Sequence, residues 1–173
     1  MRRLLLPEVP PAHDALGWRP SAPATSFLLD RGQIERVEPN PQHARRLLAD
    51  ARRHLASARL LGTTDDVAAA FVTAYDSARK ALAAMLAVQG LRARGGDGGH
   101  RVLGELMQAQ LPRHKRLLRE FDWMRMTRND TEYPDPERPT ATTEDLNAGI
   151  TAAERIVDLS ERFLAQTTGP GSP

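Results

Sequence analysis

No cysteine occurs among the 173 residues. Its absence excludes disulfides, thiolate zinc sites and a thiol nucleophile, and it fits a reducing, cytoplasmic setting. No apolar run is long enough to span a bilayer, so no membrane partner is expected. Met1-Arg-Arg-Leu-Leu-Leu-Pro7 opens like a secretory leader, but its leucine run stops well short of an h-region. Familiar catalytic fingerprints are missing too: there is no Gly-x-Ser-x-Gly, no Walker sequence and no dinucleotide-binding glycine pattern. The histidines are scattered, and no pair stands at metal-ligand spacing with nearby acids, so neither a metal nor another cofactor is expected. The glycine cluster between Arg92 and His100 follows no strand and lacks the Gly-Lys-Ser/Thr of a phosphate loop, so it reads as a flexible connection.

The net charge of +2 hides an uneven distribution. Arg45, Arg46, Arg52, Arg53 and Arg59 face only Asp50 in one stretch, and Arg113, Lys115, Arg116, Arg119, Arg125 and Arg128 outnumber Glu120 and Asp122 in another. Acids gather instead in the loop Asp130 to Glu137 and along the C-terminal segment from Glu144 to Glu161. Such separation suits an RNA surface, an acidic partner, or a homodimer in which one copy's basic face meets the other's acidic one.

Residues 1–40 are rich in proline and show no sustained period, so they read as an irregular N-terminal arm. Within it, Thr25–Asp30 suits either a strand or a segment packed on the body, with Trp18 as an anchor. Asn40-Pro41 is a helix start, and the stripe Ala44, Leu48, Ala51, Leu55, Ala58 runs to a stop at Gly62. Thr64 caps a second, central helix with the stripe Val67, Phe71, Tyr75, Ala78, Leu82, Met85, ended by Gly90. A third begins near His100 and closes near Pro112, a fourth spans about Arg113 to Arg128, and a proline-containing loop follows from Asn129 to Thr142. Thr143, Glu144 and Asp145 open a fifth helix, and residues 166–173 form a frayed tail. Five helices with short links make an all-α, up-and-down bundle over residues 41–165.

The junction at the end of the fourth helix is the candidate site. Stepping back from Arg128 gives Met124, Phe121 and Leu117, so this arginine continues an apolar stripe and emerges beside the core. Its plain role is to complement the helix dipole and to pair with Asp130 or Glu132. Asn129 suits a left-handed C-cap. Pro134 pushes Tyr133 toward extended geometry, which would fold the phenol back toward the guanidinium.

Phe71-Val-Thr-Ala-Tyr-Asp-Ser-Ala-Arg-Lys-Ala-Leu82, the turn into Gly99-His-Arg-Val-Leu-Gly-Glu-Leu106, and a helix ending in Arg128-Asn129 together resemble the HEPN superfamily, over roughly residues 41–165. The resemblance implies a helical bundle that dimerises, and a place in a toxin–antitoxin or phage-defence pair beside a cognate antitoxin or nucleotidyltransferase. Members that cleave RNA without a metal use an arginine, a polar residue and, four to six residues on, a histidine. Arg128 and Asn129 take the first two places, and Tyr133 stands where the histidine would be. No histidine follows His114. The resemblance therefore nominates Arg128, Asn129 and Tyr133 as catalytic, with Arg125, His100 and Asp130 contacting RNA or its phosphates. Unperturbed tyrosine, with a pKa of about 10, is a poor base, so a catalytically silent interaction module is the rival expectation.

Overall fold

The structure, a computed structural model, describes residues 16–20, 22–95, 98–133, 135–137 and 139–168. The leader-like opening, Pro134, part of the glycine cluster and the end of the tail lie outside the described residues. The elements are α1 (Pro23–Asp30), β1 (Ile34–Arg36), α2 (Pro41–Leu61), α3 (Val67–Val88), β2 (Leu91–Ala93), α4 (Gly99–Gln110), a 3-10 turn at Pro112–His114, α5 (Lys115–Glu132) and α6 (Thr143–Thr167). The chain is an all-α bundle carrying one small antiparallel ladder.

Local signals set most of the boundaries. The Asn40 carboxamide oxygen accepts from the His43 N–H at 2.8 Å, satisfying one of the orphan donors at the start of α2. Asp66, rather than Thr64, caps α3 by accepting from the Ala69 N–H at 2.9 Å. Thr64 instead donates its hydroxyl to the Leu61 carbonyl and closes the preceding turn. Thr142 and Asp145 form a capping box at α6. Gly90 ends the α3 turn at φ 68°, and a Cβ there would lie 2.6 Å from the Val37 carbonyl oxygen, so only glycine fits.

α3 is the central element, and its alanines let neighbours approach closely. Ala70, Ala74, Ala78 and Ala81 are fully buried, as are Ala44, Ala51 and Ala58 of α2. Between them the buried Ser77 hydroxyl donates to the Ala51 carbonyl at 2.7 Å. Gly149 of α6 meets the Phe71 ring, where an added Cβ would stand 3.0 Å away. Some of the basic character of α2 is met within the fold: Arg52 pairs with Glu161 and Arg59 with Glu154, both acids of α6.

The glycine cluster does follow a strand, the short β2, and two larger expectations are corrected. The arm is regular rather than irregular over its described second half: Pro23–Asp30 forms α1, packed on the body as one of the two expected alternatives, and Ile34–Arg36 pairs antiparallel with Leu91–Ala93. Pro23 supplies a helix start there, and burial of Leu28 and Ile34 holds the segment to the body. Trp18 packs edge-on against Phe163 with ring centroids 4.9 Å apart. The second correction is at α5, which does not stop at Arg128 but runs one further turn to Glu132. No helix breaker stands before Pro134, and the residue preceding a proline is the one disfavoured in α geometry.

Candidate functional site

The extra turn of α5 changes what surrounds Arg128. Leu117, Phe121 and Met124 are buried along one face, and Arg128 follows on the same face with its side chain 25% exposed. Because the helix continues, Glu132 lies four residues ahead on that face, and the two side chains form an ion pair. The guanidinium also donates from Nη1 to the Asn129 Oδ1 at 3.2 Å. Asn129 is therefore a helical residue beside the cation rather than a left-handed cap; no described residue other than glycine has a positive φ.

Tyr75 of α3, read from the sequence as one more core position, is the seat of this arginine. Its ring is 1% exposed and stacks on Phe121 with centroids 5.5 Å apart and planes 18° apart. The Arg128 guanidinium carbon lies 5.9 Å from the Tyr75 ring centroid, within cation–π reach. The Tyr75 Oη is 2.9 Å from Nδ1 of His100, at the start of α4. Three helices, α3, α4 and α5, therefore converge on one buried phenol.

Charge and burial act on these groups together. Burial pushes the Tyr75 phenol up to about 12, although Arg79, Arg128 and Arg125 favour its ionised form. Burial also lowers the His100 imidazole from its ordinary value, helped by Arg79 and Arg128 and opposed by Asp76. At neutral pH both partners of the 2.9 Å bond are uncharged.

The other nominated residues divide. Arg125 is largely covered and pairs with Asp122 at 2.9 Å, one turn before Arg128. Asp130 is half-buried on the same helix. Tyr133 is not hooked back onto Arg128: it is 75% exposed at the C-cap of α5, and Glu132 holds the place expected for the phenol. Trp123 packs edge-on against Phe71 at 5.8 Å. The residue that sequence reading missed is Tyr75, and the signal was there: a buried tyrosine has a hydroxyl that must find a partner.

A second cationic feature lies toward the other end of α5. Arg113, Arg116, Arg155 and Arg162 border a hollow of about 330 Å³ in which Asp158 is the one acid. Among the described residues no three His, Asp or Glu side chains are grouped to hold a metal ion, and no helix is long and apolar enough to cross a membrane.

The HEPN domain family model matches residues 44–163, well over half of the chain, and covers the helices that converge on Tyr75. The protein belongs to the HEPN domain family. Membership points in general to a ribonuclease or nucleotide-related function. Searches of curated proteins and of solved structures return no match.

Proposed function

We propose that this protein binds RNA as a homodimer and cleaves it without a metal, as the nuclease of a toxin–antitoxin or phage-defence pair. The observation that carries the reading is the seat of Arg128 on Tyr75, with His100 bonded to the same phenol at 2.9 Å. An arginine held in a fixed place is suited to grip a phosphate in bidentate fashion and to stabilise the charge that develops on it. His100 takes the role first given to Tyr133, because it is the imidazole that shares a ring with Arg128 and it is uncharged at neutral pH. In the tautomer whose Nδ1–H donates to the Tyr75 oxygen, His100 Nε2 is the nitrogen that accepts a proton. The RNA 2′-hydroxyl would lose its proton to Nε2, its oxygen would attack phosphorus, and the P–O5′ bond would break. The proton then returns to the leaving 5′-oxygen, giving a 2′,3′-cyclic phosphate and a 5′-hydroxyl. The basic hollow on α5 would hold a neighbouring stretch of the RNA backbone.

The test is incubation of purified protein with a single-stranded RNA in excess chelator. Cleavage leaving 2′,3′-cyclic ends, lost in Arg128→Ala and His100→Ala, is the expected result. Intact RNA at high protein concentration removes the nuclease. A second reading is then favoured by one specific observation, the neutralisation of Arg128 by Glu132. In that reading the protein is a catalytically silent HEPN module that recognises a protein partner, as antitoxin, scaffold or regulator.

A further inference from the structure

A cavity of about 540 Å³ opens beside His100, between α2, α3, β2 and the start of α4. Val37, Glu38 and Asn40 close it from the segment after β1, which lies outside residues 44–163 that match the family. Its walls are apolar, including Leu47, Ala83, Leu86 and Leu103. Charge is confined to Arg79, Arg92 and Arg94, set against Glu38.

These arginines have donors to spare. Arg79 is held by Asp76 of its own helix. Arg92 and Arg94 share one carboxylate, Glu35, at 2.8 Å and 4.0 Å, and their side chains are 67% and 62% exposed. A guanidinium offers five N–H groups, so a single carboxylate leaves most of them for another acceptor. A volume of this size is in the range that encloses a small organic molecule, and apolar walls with a few convergent polar groups are the usual composition of such a site.

We propose that this cavity binds a small organic anion, an apolar body bearing a carboxylate or phosphate head, with the body against Leu47, Ala83, Leu86 and Leu103 and the head on Arg92 and Arg94. The cavity also adjoins the Arg128 seat: His100 lines it, His100 Nδ1 is 2.9 Å from the Tyr75 oxygen, and Arg128 lies over the Tyr75 ring. Occupancy that moves His100 therefore alters RNA affinity. This coupling rests on the RNA reading, whereas ligand binding does not.

The experiment uses the full chain and 8-anilinonaphthalene-1-sulfonate, a fluorescent organic anion, as the probe. Saturable binding with a stoichiometry of one per chain is expected. It should weaken about tenfold or more in Ala83→Trp, which fills the cavity, and in the Arg92→Ala/Arg94→Ala double variant, which removes the head-group donors. Circular dichroism and melting temperature close to those of the parent establish that both variants fold. Binding that does not saturate, or that is unchanged in both folded variants, overturns the site.

Competition with three molecules sharing one body then tests the charge. Displacement by 1-naphthoate or 1-naphthyl phosphate, with the neutral 1-naphthalenemethanol about tenfold weaker, supports the anion and shows which head is preferred. Equal displacement by the neutral alcohol overturns it. Finally, saturating probe should change RNA affinity about threefold or more in the parent chain and leave it unchanged in Ala83→Trp. The same shift in both, or none in either, overturns the coupling. Failure to bind RNA at all, with probe binding intact, refutes the RNA reading and leaves the ligand site standing.

Discussion

At one end of α5, Arg128 is three-quarters covered, lies over a buried tyrosine ring and is paired with Glu132. About 20 Å away, at the start of the same helix and in the 3-10 turn before it, Arg116 and Arg113 join Arg155 and Arg162 around an open hollow lined by a single acid. The histidines beside the two clusters register the difference. His114, in the hollow, is lowered by burial and then by Arg162 and Arg113, with no carboxylate opposing them. His100 feels Arg79 and Arg128 too, but Asp76 pulls the other way. One end is a fixed, compensated cation suited to position a phosphate. The other is a region of positive potential suited to attract a polyanion without orienting it.

The contrast is broken most severely by removing the seat. Tyr75→Ala deletes a fully packed ring and should lower stability by about 3–5 kcal/mol in urea denaturation. Arg113, Arg116 and Arg162 should keep their surroundings. A loss below about 1 kcal/mol would mean that the ring is not the packed support described here.

Next in size is the response to pH, whose alkaline arm belongs to the seated end and whose acid arm His100 shares with His114 of the hollow. The Tyr75 phenol is raised to about 12 in the folded protein, so the folded state keeps its proton while the unfolded chain loses it near 10. The contribution of Tyr75 is therefore intact below pH 10 and is lost between pH 10 and 12, a fall of up to about 3 kcal/mol. His100 has the opposite sense. Its folded pKa lies below the ordinary 6.5, so the unfolded chain binds the proton first and stability falls as pH drops below that value. Thermal melts of the parent and of Tyr75→Phe across both ranges would measure this, and the alkaline loss should vanish in the variant.

RNA titrations at several salt concentrations sharpen the comparison further. Arg128→Ala should weaken binding about tenfold, as expected for losing a charge-assisted contact. Arg116→Ala/Arg162→Ala should instead flatten the salt dependence, lowering the slope by about 1.4 if each arginine releases its share of counterions from single-stranded RNA. Equal effects of both changes on the slope would erase the distinction between the ends. The smallest effect is expected from Glu132→Gln, which frees Arg128 of its helical partner. RNA affinity should rise two- to threefold, while stability changes by no more than about 0.5 kcal/mol, the worth of an i,i+4 pair along a helix.

Much of this bundle was legible from capping residues and apolar spacing. Asn40-Pro41 and Gly62 bracket α2 because an N-cap, a proline at the first position and a terminal glycine are local signals. Leu48, Leu55, Phe71, Leu82 and Met85 fall in the core because helical periodicity decides burial. The arm was hidden because its prolines read as punctuation, whereas Pro23 starts a helix. The end of α5 was misplaced for a similar reason. Arg128-Asn129-Asp130 has the polarity of a helix end, but polarity does not stop a helix, and the effective limit is set at Tyr133 by Pro134. From that one turn follow the pairing of Arg128 with Glu132, one of its two expected partners, and the misplaced Tyr133, which faces solvent. The Tyr75–His100 bond joins residues 25 apart in sequence, and no local rule brings them together.

The Thr131 hydroxyl accepts from the Ala141 N–H at 3.0 Å while donating to the Thr127 carbonyl at 2.7 Å. This clasp pins both ends of the intervening segment at the foot of the helix, so its length is decoupled from the placement of Arg128. Chain-closure entropy changes by only about 0.6 kcal/mol when such an arc doubles. Insertions between Glu132 and Thr140 should therefore pass without disturbing the guanidinium upstream.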